Sequence, residues 1–318
     1  MSTYPMVSTI IPAYNSVEYI GEALESALRQ NYENQEVIVI NDGSTDGTGQ
    51  ILKSFGNRIR VINQTNAGSA VARSHGIRVA RGKYLAFLDA DDLWLPGKLV
   101  AQVSHLERNP EVGMVYSAWQ EWYPEANGQF VAPAMDKING DADALETQSS
   151  GWLYNALLLD CIIHTTTVVM RSNVAREVGD FDKALKRGQD YDYWLRVSRL
   201  TPIHKLRGVY SLYRVHPESI TNRPHAVNYN HLVLQKTLDR WGRAGPDGTV
   251  TDQRDLNRVL SRIWFGFGYR HYEIGDPKLA TSAFLQCIRY RPFWYGGWLN
   301  LARTYWKRWR SYTMPKAG

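Results

Sequence analysis

A short apolar run, a break of small polar residues and a segment with helical apolar spacing recur in that order along the amino-terminal part of the chain. Val7 to Ile11 is a β-branched run that breaks at Pro12-Ala13-Tyr14-Asn15, and Val17 to Leu28 then carries apolar residues at helical intervals. Val37 to Ile40 repeats the unit and ends in Asn41-Asp42-Gly43-Ser44-Thr45-Asp46-Gly47-Thr48, where the glycines permit tight turns and Ser44, Thr45 or Asp46 can cap the next helix. A third unit runs from Arg60 to Ile62 through Asn66-Ala67-Gly68 into a helix carrying Arg73, and a fourth strand, Tyr84 to Leu88, stops at Asp89-Ala90-Asp91-Asp92. This alternation predicts an α/β fold, a mostly parallel sheet with helices on both faces.

Sheets of this kind bind ligands outside the carboxyl ends of their strands, an edge lined here by Tyr14, Asp42, Arg73, Asp89 and Asp91. Carboxylates as crowded as Asp89 and Asp91 repel one another unless a cation sits among them, and hard oxygen donors suit Mg2+ or Mn2+. Asp92 can serve instead at the amino end of the amphipathic segment opened by Pro96. An Asp-x-Asp motif alone is a weak signal. Structural readings compete elsewhere too: Tyr14 can pack over its loop, Asp42 can bond its own turn, and Arg73 can pair with a neighbouring acid.

Taken together, Val7 to Asn15, the Asn41 to Thr48 turn, Asn66-x-Gly68 with Ala72-Arg73, and Phe87 to Asp92 resemble the nucleotide-binding half of family 2 glycosyltransferases. The resemblance implies a GT-A fold. It places Tyr14 against the nucleobase, with Pro12 and Ala13 in the same donor-binding site and Asp42 bonding a uracil-type ring nitrogen. Asp89 would lie near the ribose, Ala90 and Arg73 would line the same donor site, and Asp91 would ligate the metal that bridges the diphosphate.

Gly188-Gln189-Asp190-Tyr191 opens a helix whose apolar positions turn inward and leave Asp190 in its first turn. In the resembling family a Glu-Asp pair stands here, and its Asp deprotonates the acceptor hydroxyl. Gln189 replaces that Glu, removing one negative charge and altering how an acceptor is positioned. An N-cap role for Asp190 is the competing reading. Tyr213-Arg214-Val215-His216-Pro217-Glu218-Ser219-Ile220 follows a strand from Ile203, and the same family often has a basic residue and a histidine in this segment. Arg214 would offset phosphate charge and His216 would be a third metal ligand. His164, before an expected Thr165 to Met170 strand, has weaker claims.

With 318 residues, 44% of them hydrophobic, the chain can bury a sizeable core, which excludes a disordered class. Cys161 and Cys287 are too few for a disulfide framework, and neither a signal peptide nor a membrane-spanning run is present, so a cytoplasmic enzyme is expected. Charge is uneven. Eight basic residues and no acid follow Asp276, leaving 29 basic against 31 acidic in the remainder. Interleaved with them are Trp294, Trp298, Trp306 and Trp309, a mixture that suits an anionic membrane surface. Trp264, Phe267, Gly268 and His271, followed by Ala280, Phe284, Cys287 and Pro292, also resemble a tetratricopeptide repeat. A shift of 34 residues leads to Trp298, Leu301, Ala302 and Tyr305. So short an array is expected to pack on the catalytic domain or to dimerise, burying Trp298 and Tyr305 and leaving Trp306, Trp309 and Arg310 for membrane or partner. No nucleic-acid module accompanies this basic tail.

These features predict a catalytic domain over residues 1–222 and a helical region over 223–318. The expected activity is metal-dependent, inverting transfer of a sugar from a nucleotide-diphosphate donor, UDP favoured, to a hydroxyl of a glycan or lipid-linked saccharide. Two alternatives are a sugar nucleotidyltransferase, against which Pro12 to Ser16 lacks glycine and base, and a non-catalytic nucleotide-binding scaffold using the helical tail.

Overall fold

The computed structural model describes residues 4–131, 143–216 and 224–313, with backbone alone from 310. Pro217 to Ile220 and Lys316, together with the Arg310 side chain, therefore lie outside what is described. Two compact units emerge. One comprises residues 1–157, 161–217 and 245–247, the other 158–160, 218–244 and 248–318.

In chain order the first unit carries β1 (Val7–Ala13), α1 (Ile20–Leu28), β2 (Gln35–Asp42), α2 (Thr48–Ser54), β3 (Arg60–Gln64), α3 (Ser69–Val79), β4 (Tyr84–Phe87) and β5 (Leu93–Trp94). It continues through α4 (Lys98–Arg108), β6 (Met114–Trp122), α5 (Tyr154–Leu159), β7 (Val169–Arg171), α6 (Ser172–Val178), α7 (Gln189–Val197) and β8 (Ile203–Arg214). The eight strands form one sheet in the order β3-β2-β1-β4-β7-β6-β8-β5. β3, β2, β1 and β4 are parallel, as their alternation with helices requires. Beyond them the sheet is mixed: β7 is antiparallel to β4 and β6, β8 is parallel to β6, and β5 is antiparallel to β8. The expected Thr165 to Met170 strand divides into a single 3-10 turn, Thr165–Thr167, and the short β7.

Side chains of β2 alternate between two cores, as a period of two dictates. Val37 and Val39 join Leu24 and Leu99 from α1 and α4, whereas Ile38 and Ile40 meet Ala72 and Val79 of α3. Helices thus cover both faces. Burying each of these branched side chains stabilises the fold by about 1.5–3 kcal/mol. An aromatic group then sets α7 beside the end of β4: Phe87 meets Trp194 at 6.1 Å and Phe181 at 6.2 Å, and Phe181 stacks on Tyr193 at 3.9 Å.

The second unit contains α8 (Tyr229–Trp241), α9 (Gln253–Ile274), α10 (Pro277–Tyr290) and α11 (Tyr295–Thr313). Asp252 caps α9 by accepting from the Arg254 and Asp255 amides, and Asp276 caps α10 ahead of Pro277, each cap contributing about 1 kcal/mol. Phe265, Ala280, Phe284, Ile288 and Leu301 join α9, α10 and α11 in a small core. The helices expected from the repeat are present, but the inward face of α11 differs. Trp298 and Tyr305 are each 53% exposed, while Gly297, Asn300, Leu301 and Thr304 turn inward. The reason is close approach: a side chain at Gly297 would come within 2.9 Å of Ile288, so small residues form the seam. Among the described residues no helix is long and apolar enough to cross a membrane.

Candidate active site

At the carboxyl edge of the parallel strands, loops are tied to one another before any ligand is considered. Asn15 adopts a left-handed conformation (φ 47°), and its side-chain oxygen accepts from the Thr45 amide at 2.8 Å. The Ser16 amide donates to Thr48 Oγ1 at 2.8 Å, and Asp46 accepts from the Val17 and Thr48 amides. This clamp joins the loops after β1 and β2. Pro12 and the buried Ala13 end β1 within the sheet, while Tyr14 is left 51% exposed. Gly43, at φ 72°, lets the second loop press on the third, for a Cβ there would lie 2.7 Å from the Asn66 amide nitrogen.

Asp42 is buried at the end of β2, and its carboxylate accepts from Gln64 Nε2 at 2.7 Å, the Ala67 amide at 2.9 Å and the Gly68 amide at 2.8 Å. It organises the loop before α3 rather than its own turn. A carboxylate has about four acceptor positions, so one remains for a ligand.

Asp89, Asp91 and Asp92 diverge despite their proximity. Asp89 Oδ1 accepts from Arg73 Nη2 at 2.5 Å. Burial pushes the Asp89 carboxyl up, the Arg73 cation opposes this, and Asp91 and Asp190 add to it. Arg73 is itself buried; burial works against its charge, but Asp89, Asp190 and Asp91 together hold its ionisation above the usual range. Its Nε and Nη1 are buried without a hydrogen-bond partner. Asp92 does not begin a helix, since β5 follows it and α4 starts only at Lys98. It is buried, accepts from the Arg214 amide at 3.1 Å, and is pushed well above the carboxylate range by burial, with Asp91 and Asp89 adding.

Arg214 is not presented as a free phosphate-facing cation. Its guanidinium lies 4.6, 4.3 and 4.5 Å from the rings of Tyr19, Trp122 and Phe130, donates to the Asp91 carbonyl at 2.8 Å, and pairs with Glu22 at 2.5 Å. It is a strut beneath the acidic turn. Asp91 by contrast keeps 42% of its side chain exposed, and Oδ2 lies 3.2 Å from His216 Nε2. Among the described residues no three His, Cys, Asp or Glu side chains are grouped to hold a metal by themselves. An exposed carboxylate beside an imidazole nevertheless fits Mg2+ or Mn2+, which commonly take one or two protein donors and complete their shell with phosphate oxygens and water.

Asp190 comes from α7. Gly188, at φ 68°, turns the chain into α7, leaving Asp190 in its first turn. Its carboxylate accepts from the Tyr191 amide at 2.8 Å and from Thr165 Oγ1 at 3.3 Å. Gln189 Nε2 donates to Ser69 Oγ at 2.8 Å, binding α7 to the start of α3, and Gln189 Oε1 is buried without a partner. Arg73 feels Asp89, Asp91 and Asp190 together, so these expected residues share one electrostatic site. Residue patterns alone did not identify Glu22, Tyr19, Trp122 and Phe130 around Arg214, or Thr165 beside Asp190. The Thr165-Thr166-Thr167 run and the paired tryptophans Trp119 and Trp122 were the available signals.

Residues 8–148 match the Glycosyl transferase family 2 profile. The chain is 34% identical over 228 residues to an uncharacterized glycosyltransferase of Rickettsia bellii, covering 71% of this chain but 32% of that longer protein. It is 31% identical over 242 residues to an Escherichia coli protein named UDP-Glc:alpha-D-GlcNAc-diphosphoundecaprenol beta-1,3-glucosyltransferase WfaP, covering 73% of this chain and 85% of the relative. Among solved structures, residues 1–349 of S. aureus TarS in complex with UDP-GlcNAc share the fold, with a TM-score of 0.58, 18% identity, and 97% of this chain and 91% of that chain covered.

Proposed function

This chain belongs to the family 2 glycosyltransferases, and from that premise we propose that it moves a sugar from a UDP-sugar to a hydroxyl of a lipid-linked saccharide in cell-envelope glycan synthesis. The observation that carries the reading is the pairing of the buried Arg73 with Asp89 after β4, followed two residues on by the exposed Asp91, with Asp190 in the first turn of α7. In this reading residues 1–222 are the catalytic domain. Asp42 and Tyr14 hold the nucleobase, with Pro12, Ala13 and Ala90 lining the nucleoside. Arg73 orients Asp89 and offers its two remaining donors to the donor's polar groups.

Asp91 and His216 would hold Mg2+ or Mn2+, which when bound would neutralise the departing diphosphate. Asp190 takes the proton from the acceptor hydroxyl as that oxygen attacks the anomeric carbon, an in-line displacement that inverts the centre. Thr165 fixes one carboxylate oxygen and the Tyr191 amide the other. The acceptor class rests on the Escherichia coli relative, whose name specifies a diphosphoundecaprenol-linked GlcNAc acceptor.

Residues 223–318 would attach the enzyme to the membrane that carries such an acceptor. α11 exposes Trp298, Tyr305, Trp306 and Trp309 on a segment without acids. Co-flotation with phosphatidylglycerol vesicles, weakened by salt and by Trp306→Ala with Trp309→Ala, would support this. A dimer in solution that shields the same face would argue for self-association instead. The donor site is tested by calorimetry with UDP, GDP and dTDP, with and without Mn2+. Metal-dependent binding of one nucleotide, lost in Asp91→Ala, is expected; absence of binding by all three to folded protein would overturn the reading.

A further inference from the structure

Three partly exposed rings adjoin the acidic site without a part in the chemistry above. Trp119 on β6 and Tyr213 on β8 meet edge to face, with centroids 5.7 Å apart. His164 leans on Trp119 at 3.8 Å and meets Tyr213 at 5.4 Å. None is sealed into the core as Trp94 and Trp194 are.

The backbone departs from regular pairing to produce this arrangement. The β6–β8 register shifts between Ser117 and Ala118 and again between Ala118 and Trp119, which brings Trp119 opposite Ser211 and Glu121 opposite Tyr213. Such irregularities re-aim side chains beside active sites. One residue after His164, Thr165 donates to Asp190. Adjacent Cα atoms are about 3.8 Å apart, so ring cluster and carboxylate are neighbours. Burial holds the His164 imidazole below its ordinary range, although Asp190, Asp89 and Glu121 pull the other way.

A sugar ring presents an apolar C–H face and a rim of hydroxyls. An aromatic surface next to a carboxylate complements both. Resting on the transferase reading, we propose that Trp119, His164 and Tyr213 form the platform for the acceptor's sugar ring, whose C–H face lies on Trp119 while a rim hydroxyl reaches Asp190. This makes the acceptor a saccharide rather than a bare lipid alcohol or a protein side chain.

Indole-resolved NMR on the full chain tests it, with the methyl α-glycosides of glucose, galactose and N-acetylglucosamine as probes in the presence and absence of UDP. At least one glycoside should shift the Trp119 indole signal. Trp119→Ala should weaken that binding by about tenfold or more and Trp119→Phe by only a few-fold, with UDP affinity unchanged in both. No glycoside shifting Trp119, equal affinity in Trp119→Ala, or UDP affinity falling in step would overturn the platform. Failure of UDP to bind the native chain would overturn the donor reading instead, while a glycoside shift at Trp119 would still stand.

Discussion

Asp42 and Asp91 end the strand regions that flank β1, and they use their carboxylates in opposite ways. Asp42 is 3% exposed and spends three acceptor positions on Gln64 and the Ala67 and Gly68 amides. Asp91 keeps 42% of its side chain exposed and touches His216 alone among the carboxylate contacts described. A carboxylate with most of its acceptor positions taken chiefly holds structure, leaving Asp42 one position for the nucleobase, and one left open is available to cation and substrate. The same division separates Asp92, buried against the Arg214 amide, from Asp190, half-buried in the first turn of α7.

Substitutions should therefore separate stability from chemistry across this divide. Arg214→Ala removes the strut shared by Asp91, Glu22 and three rings, and should lower the unfolding free energy by about 3 kcal/mol in urea denaturation. A loss under about 0.5 kcal/mol would mean that Arg214 is spare for phosphate after all. Asp42→Ala should cost about 2 kcal/mol by the same measurement, because the Ala67 and Gly68 amides lose their acceptor. Asp91→Asn should leave stability within about 0.5 kcal/mol while weakening Mn2+-dependent UDP binding about tenfold or more. Equal destabilisation by the Asp42 and Asp91 variants would erase the distinction.

Away from the edge lies a smaller effect. His105 Nε2 and His204 Nδ1 are 2.9 Å apart, and burial lowers both from an ordinary value of 6.5, the His204 neighbour adding at His105. The unfolded chain then binds protons that the folded chain refuses, so their contribution to stability is full above pH 6.5 and declines as pH falls below it. Thermal melts should show a shallower acid decline in His204→Gln than in the native chain; an unchanged slope would count against this pair.

The parallel half of the sheet was legible because local pattern and architecture agree: β-branched runs, turn residues and helical spacing alternate from Val7 to Phe87. In its mixed half the strand from Ile203 was legible but the pairing was not, since β7 between β4 and β6 joins segments far apart in sequence and leaves no periodicity to read. The same limit applied at the site. Motif residues could be proposed one by one, but the enclosure of Arg214 depends on Tyr19, Trp122 and Phe130 arriving from separate elements. On α11, spacing located the helix, yet the glycine-led seam rather than the large aromatics determined which side turned inward.

In the proposed reaction Asp190 is the base at the open part of this edge. Sugar transfer from a UDP-sugar to a lipid-linked saccharide, measured alongside UDP affinity in the native chain and Asp190→Asn, tests this role. Asp190→Asn should reduce transfer by about 10³-fold with UDP affinity unchanged. Transfer by Asp190→Asn within a few-fold of native would contradict it.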